Sequence, residues 1–520
     1  MALNWSKFHT AFIIATLSTT PLFAQEVELV SEDESVRIKG ELVGFEDGNY
    51  TIKTTLGELV LSAEQLNCVG ENCPFIKPPA EEFAVSGPAQ MGEQLLPGLL
   101  DAFSRSISGS FNASDHPTEG KLYVVTDNES DEFAKVQILN KDSSTGLVDL
   151  LQGDTRIALS TRSPRGQESE AFEKFGMGSI ESPSQEKVIA LDALTFITAA
   201  ENPVKSITME DAASIFAGRI TNWAELGGPD AQISLYVPNP ETGSSEMFDT
   251  FILAPLELEL DASVTVAGDD MDVAIRVETD PSGIGFTSIL NTQQAQTLAI
   301  EGSCGLKSHP SLFSVKSEEY PLTQRHFFYM TDEERSENFQ GFLNFITSDE
   351  AQSVVQNAGY ISHEIASESV EGYGARFASV LAGLSGTSDI PAVRSMADVM
   401  LNGERLSTTF RFNEDGNTLD NRSAEDLSRL AAHLASDVYR GKTVQIMGFG
   451  SSQGDGAADQ QLSQTQAETV LDGLLERNPT LNASLTLSPS VGYGNISPIA
   501  CNDTPEGVQA NTRVEVWVQN

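Results

Sequence analysis

A chain of 520 residues is too long for one hydrophobic core, since cores stop growing at roughly 250–300 residues, and about three domains are expected. Hydrophobic residues at 40% and aromatic residues at 7% are ordinary for packed globular domains, and no segment after the N-terminus reaches the ~18 apolar residues of a membrane helix. With 75 acidic against 31 basic residues, the formal net charge of −44 makes nucleic acid and anionic membrane poor partners, while neutral hydroxyls and backbone N–H groups can still cradle a small anion.

In chain order, the first element is a leader. Lys7 precedes an apolar run through Phe12, Ile13, Ile14, Ala15 and Leu17, and Leu22-Phe23-Ala24 stands before Gln25. This pattern predicts a signal peptide over 1–24, cleaved after Ala24, and a periplasmic location. A small β-module is expected over 25–75, because apolar residues alternate through Val36, Ile38, Leu42 and Phe45, turn at Asp47-Gly48, and resume at Tyr50, Ile52, Leu59 and Leu61. The stretch Cys73-Pro74-Phe75-Ile76-Lys77-Pro78-Pro79 reads as a linker.

From 81 to 375, short apolar strands such as Lys187-Val188-Ile189-Ala190-Leu191 and Ala231 to Val237 alternate with helical patterns such as Met209 to Phe216, which predicts α/β layers. A linker is expected over 376–400, and a last domain over 401–520. There the strand Leu406 to Phe412 precedes a helix with a capping-box-like start at Ser423-Ala424-Glu425-Asp426. The strand Thr443 to Phe449, a helix Gln460 to Arg477 with Leu462 on its apolar side, and the strand Arg513 to Val518 follow, an order that suits a two-layer α/β domain.

All four cysteines follow the leader, where an oxidising compartment allows disulfides. Cys68 and Cys73 are close enough to bridge locally, leaving Cys304 and Cys501 to join the middle domain to the last, although three connectivities are open and the second pair could be free thiols. No C-x-x-C pair or His cluster points to a metal, and no cofactor is expected.

Three strand-to-helix turns are rich in donors: Ser86-Gly87-Pro88-Ala89-Gln90, Ser160-Thr161-Arg162, and Thr242-Gly243-Ser244-Ser245. Hydroxyls and N–H groups at such turns suit an anion, and the planar fork of Arg162 suits an oxyanion. Each could equally be an ordinary helix cap, and Arg162 an exposed loop residue.

The run Leu191-Asp192-Ala193-Leu194-Thr195-Phe196-Ile197, then Asn202-Pro203-Val204, then Ile215-Phe216-Ala217-Gly218-Arg219-Ile220-Thr221-Asn222-Trp223 resembles the PstS-like phosphate-binding protein family, as do Gly283-Ile284-Gly285-Phe286 and Glu319-Tyr320-Pro321-Leu322. The resemblance implies a two-lobed periplasmic-binding-protein domain of type 2 that closes on one ligand, phosphate or a related oxyanion, with an ABC permease as a partner. It puts Ser86, Gln90, Ser160, Thr161, Arg162, Thr242, Gly243, Ser244 and Ser245 on or near the ligand loops. Pro238 and Pro240 stand where many relatives carry Arg and Asp, and Arg156 where Asp often precedes the Ile; no carboxylate that accepts a ligand proton is identifiable.

The C-terminal part resembles the OmpA-like domain, on Phe410-Arg411-Phe412, Gly448-Phe449-Gly450, Leu462-Ser463, Gly492-Tyr493-Gly494 and Asn511-Thr512-Arg513-Val514-Glu515-Val516. That family grips peptidoglycan through an Asp after the second strand and an Arg in the following helix; aligned on Leu462-Ser463, these positions hold Ser451 and Gln466. The resemblance implies peptidoglycan contacts at Ser451, Gln466, Asn511 and Arg513, and association with the cell wall or outer membrane.

Gly450-Ser451-Ser452-Gln453-Gly454 matches the G-x-S-x-G pattern of a nucleophile elbow, but the last histidine of the chain is His433, upstream of the serine, so a hydrolase is not expected. The leading expectation is a non-catalytic α/β multidomain binding protein. The alternative is an envelope interaction protein whose middle domain keeps the fold and has lost its ligand.

Overall fold

The computed structural model describes residues 26–520 apart from 32–34, 47, 64, 71, 75–79, 119, 333–334, 370–373, 375–389, 414 and 451–455. The expected signal peptide and the residues 75–79 of the first linker lie outside these. The described chain divides into two compact units, Met1–Pro79 and Ala80–Asn520.

In the first unit, five antiparallel strands form one sheet, with Glu26–Val30 paired between Arg37–Glu46 and Asn67–Val69, then Asn49–Thr54 and Gly57–Ser62 outward. Alternation sends Val27, Leu29, Tyr50 and Ile52 into the core, while Val36, just before its strand, is exposed. Cys68 and Cys73 form a disulfide.

In the second unit, one continuous sheet serves two cores. Parallel strands Glu81–Pro88, Glu132–Lys141 and Ile157–Ser160 form the first lobe around Val85, Leu99, Phe103, Ile138 and Phe342. Ser234–Val237 and Gly283–Ser288, also parallel, form the second lobe around Phe196, Phe216, Phe248 and Phe286. Phe248 stacks on Phe286 with ring centroids 4.0 Å apart, and burying each such ring contributes about 1.5–3 kcal/mol. The long strand Glu186–Thr198 joins the lobes: it pairs with Thr323–Tyr329 over its first part and with Gly283–Ser288 over its last.

The helix that follows residues 86–90 starts as a wide turn, Met91–Leu95, and becomes regular only over Leu96–Ser106. Pro97 sits in that first regular turn and has no N–H to extend a ladder backward, so the irregular turn precedes it.

The last domain packs helices Asn421–Leu434 and Gly456–Arg477 on a sheet in the order Gly403–Phe410, Arg513–Gln519, Thr443–Phe449. Three expectations change here. The helix cap is Asp420, whose carboxylate accepts the Ser423 N–H at 2.8 Å, three residues before the capping box was expected to act. Leu462 is exposed, because the buried stripe of its helix runs through Ser463, Ala467, Val470 and Leu474. Residues 390–400 of the expected linker belong to a helix, Ile390–Asn402, whose Val393, Met396 and Met400 bury an apolar face with Trp517, Phe449 and Tyr493. Cys304 and Cys501 form a disulfide between the two-lobed part and this domain.

Candidate functional site

The donor-rich turns lie at the carboxyl ends of parallel strands, the position where open α/β sheets take ligands. Glu81–Pro88 delivers Ser86 and, just beyond it, Gln90; Ile157–Ser160 delivers Ser160, Thr161 and Arg162; Ser234–Val237 leads through Pro238 and Pro240 to the helix Gly243–Phe248, capped by Thr242. Gly87 is required where it stands: at φ +151° it passes so close to the neighbouring strand that a Cβ would lie 2.4 Å from the Leu159 carbonyl oxygen.

The two lobes touch through these turns. The Gly243 N–H donates to Gln90 Oε1 at 3.2 Å, and the Thr161 hydroxyl donates to Glu246 Oε1 at 3.2 Å. The predicted residues then sort by what they hold. Four meet carboxylates: Thr161 meets Glu246, Ser86 donates to Asp149 at 2.5 Å, Ser244 donates to Asp270 at 2.7 Å, and Arg162 forks onto Glu168 with two bonds of 2.8 Å. Ser160, Thr242 and Ser245 instead bind backbone carbonyls within their own turns.

Sequence reasoning missed the acidic partners and two hydroxyls. Ser143 lies 3.1 Å from the Thr161 hydroxyl, and Ser144 accepts from Arg162 at 2.6 Å; both begin the helix Ser143–Gln152. Glu246 had a signal, since it lies one helical turn after Thr242 and shares its end of the helix. Asp149, Glu168 and Asp270 had none among 75 acidic residues. Arg156 is structural: it pairs with Glu81 at 2.6 Å and covers the Phe339 ring.

The electrostatics follow from burial. Desolvation raises the Glu246 and Asp270 carboxyls above the usual range. Burial also opposes the charge on Glu168, but the Arg162 fork and the Arg165 N–H outweigh it and hold that carboxyl at about 2. The cleft therefore offers hydroxyl donors across both lobes, one guanidinium already paired with Glu168, and two carboxyls, Glu246 and Asp270, whose protonated forms burial favours.

In the last domain, Ser451 and most of the G-x-S-x-G stretch lie outside the described residues. Gln466 is buried, donating to the Gly416 carbonyl at 2.9 Å. Asn511 and Arg513 do not match the expected role at a polymer-contacting surface, for both are fully buried. Asn511 accepts from the Ile499 N–H at 2.7 Å and donates to the Ala500 carbonyl at 2.8 Å, pinning a loop. Arg513 binds Glu515 at 2.8 Å and the carbonyls of Asn511 and Ser497 at 2.9 Å, and lies 4.4 Å from the Phe449 ring centroid.

Residues 115–350 match the model of the PBP superfamily domain, and residues 411–512 that of the OmpA family. Among curated proteins, the chain is 28% identical over 262 residues to protein SphX of Synechococcus elongatus, covering 47% of this chain and 73% of that protein. It is 24% identical over 261 residues to the phosphate-binding protein PstS of Borreliella burgdorferi, covering 49% and 88%. The C-terminal part is 31% identical over 115 residues to outer membrane porin F of Pseudomonas fluorescens, which is 22% of this chain and 33% of the porin. Among solved structures, PstS from Borrelia burgdorferi aligns with a TM-score of 0.42 at 21% identity, over 54% of this chain and 98% of that one. The chain carries a PstS-like domain of the PBP superfamily followed by an OmpA-family domain.

Proposed function

We propose that the cleft between the two lobes binds phosphate or a similar small oxyanion in the periplasm, and that the OmpA-family domain associates the protein with peptidoglycan. The observation that carries the first part is the Thr161 to Glu246 bond: the donors of one lobe already hold an oxyanion of the chain's own across the cleft. A phosphate oxygen is an acceptor of the same kind, and relatives sharing this domain are phosphate-binding proteins by name. In this reading Ser86, Arg162 and Ser244 turn from their carboxylates to the ligand, Ser143 and Ser144 add donors, and no bond of the ligand is made or broken, so the protein is not an enzyme.

Calorimetry with phosphate, sulfate and molybdate tests the reading. Phosphate is expected to release or absorb heat and raise the melting temperature; no heat and no melting shift at millimolar ligand would overturn it in favour of an envelope interaction protein. Wall association is expected to carry the protein into the pellet with purified sacculi, and a protein wholly in the supernatant would remove that half.

A further inference from the structure

The OmpA-family domain grips both lobes at once. Three consecutive residues at the start of the helix Asn421–Leu434 divide between them. Asp420 accepts from Arg325 at 2.7 Å, on the strand Thr323–Tyr329 that runs beside the lobe-joining strand. Asn421 donates to the Glu181 carbonyl and to Glu186, both at 2.8 Å, on the first-lobe side. Arg422 donates to the Lys316 carbonyl at 2.6 Å and pairs with Glu318 at 2.9 Å, on the second-lobe side.

Further contacts widen each grip. On the first-lobe side Glu425 pairs with Lys187 at 2.8 Å. On the second-lobe side Arg405 pairs with Glu319 at 2.5 Å, Arg411 donates to the Glu318 carbonyl at 3.1 Å, and the Cys304–Cys501 disulfide closes the contact covalently. Arg325 completes the set by forking onto Glu318 at 2.5 Å as well as Asp420. None of the charged side chains in these pairs is more than a quarter exposed, so breaking them strands poorly hydrated charge.

Lobes that part about their joining strands must change the separation between residues 181–187 and residues 316–319. A single helical turn, rising about 1.5 Å per residue, is too short and stiff to follow both, so one set of contacts must break first. The disulfide keeps the second-lobe set, and the breakable one is the first-lobe set at Asn421 and Glu425.

We propose that the OmpA-family domain is a splint across the hinge: it holds the two lobes near the closed arrangement and slows exchange of whatever the cleft holds. The effect on exchange rests on the cleft being the oxyanion site; the restraint on the hinge does not.

All four native cysteines are in disulfides, so spin labels can be placed on cysteines introduced at exposed Gln167 in the first lobe and Glu241 in the second. Inter-lobe distances are then measured by pulsed electron resonance on the full chain and on the chain carrying Asn421→Ala and Glu425→Gln. The splint predicts one short distance in the parent and an added longer population in the variant. It also predicts phosphate dissociation about tenfold faster in stopped flow, the ratio that ~1.4 kcal/mol of lost contact represents. Identical distance distributions in two folded proteins would overturn the splint, even where phosphate binds both. A longer population without phosphate binding to either protein would uphold the splint and remove the oxyanion reading. If the double variant does not fold, Lys187→Met cuts the same grip from the other side and is judged by the same distances.

Discussion

Glu246 decides how the cleft answers pH. Burial raises its carboxyl above the ordinary range, so a proton reaches it more readily than an exposed glutamate. An incoming phosphate dianion meets an ionised Glu246 as a like charge, and a protonated one as a hydrogen-bond donor. Phosphate affinity relative to a variant that cannot ionise here is therefore expected to rise as pH falls through the range in which Glu246 takes its proton, which burial moves upward. Glu246→Gln keeps the shape, removes the charge and supplies a permanent donor. Where Glu246 is ionised the variant should bind about tenfold tighter, the ratio that one relieved repulsion of ~1.4 kcal/mol represents, and the gap between the two proteins should close as pH falls, the titration of phosphate itself being common to both. Titration calorimetry of both proteins at three pH values measures this, and parallel pH profiles would show that Glu246 lies outside the ligand's reach.

At the scale of elements, the helix Gly456–Arg477 lies tight against the strand Thr443–Phe449, and a glycine permits it. A Cβ on Gly448 would stand 2.0 Å from the Ser463 carbonyl oxygen, a backbone atom that cannot swing away. Gly448→Ala must push the helix off the sheet, and it is expected to destabilise the domain by about 1–3 kcal/mol or more, as overpacked cores do. Urea unfolding followed by Trp517 fluorescence reads that loss, and an unchanged midpoint would contradict the tight approach. The same elements show what was legible beforehand. The apolar pattern located the strands Thr443–Phe449 and Arg513–Gln519 to within a residue, because both are buried on both faces along nearly their whole length. The cap at Asp420 was displaced from the expected Ser423 because several oxygen-bearing residues crowd that turn and only backbone geometry chooses among them. Leu462 misled because an apolar side chain beside the buried stripe looks like part of it. In the cleft, the hydroxyl turns were readable as local runs, whereas Asp149, Glu168 and Asp270 reach them from positions 6 to 63 residues away. Arg513 and Asn511 carried a family pattern, but their burial comes from the sheet and loop around them and has no local mark.

At the scale of the whole molecule, the junction between the two-lobed part and the last domain contains a histidine that must stay neutral. His363 is buried, and neither ring nitrogen has a hydrogen-bond partner among the described residues. Burial pushes its pKa well below the ordinary value; the cations Arg422, Arg429 and Lys316 around it push the same way, against Glu318 alone. In the unfolded chain it titrates near 6.5. Below that pH the unfolded chain binds a proton that the folded chain refuses, so this contribution to stability is complete above pH 6.5 and is lost as pH falls. At pH 5 the loss reaches at most about 2 kcal/mol, the limit in which the folded chain takes up no proton there. The raised carboxyls of Asp426 and Glu425 nearby oppose it, since they favour the folded state in acid, the Glu318 carboxyl held low by its arginines adds to it, and the bulk pH profile mixes them. His363→Leu separates them: it has a similar volume and no charge at any pH, and the acids remain. The variant is expected to gain on the parent on going from pH 7.5 to pH 5, by up to about 2 kcal/mol, measured as the difference in urea midpoints. Hydrogen exchange should place the gain at the helix Asn421–Leu434, where undocking begins if the splint is the part that acid loosens. A constant difference between the two proteins across that range would mean that His363 takes up its proton in the folded state, and that the junction has room for the charge.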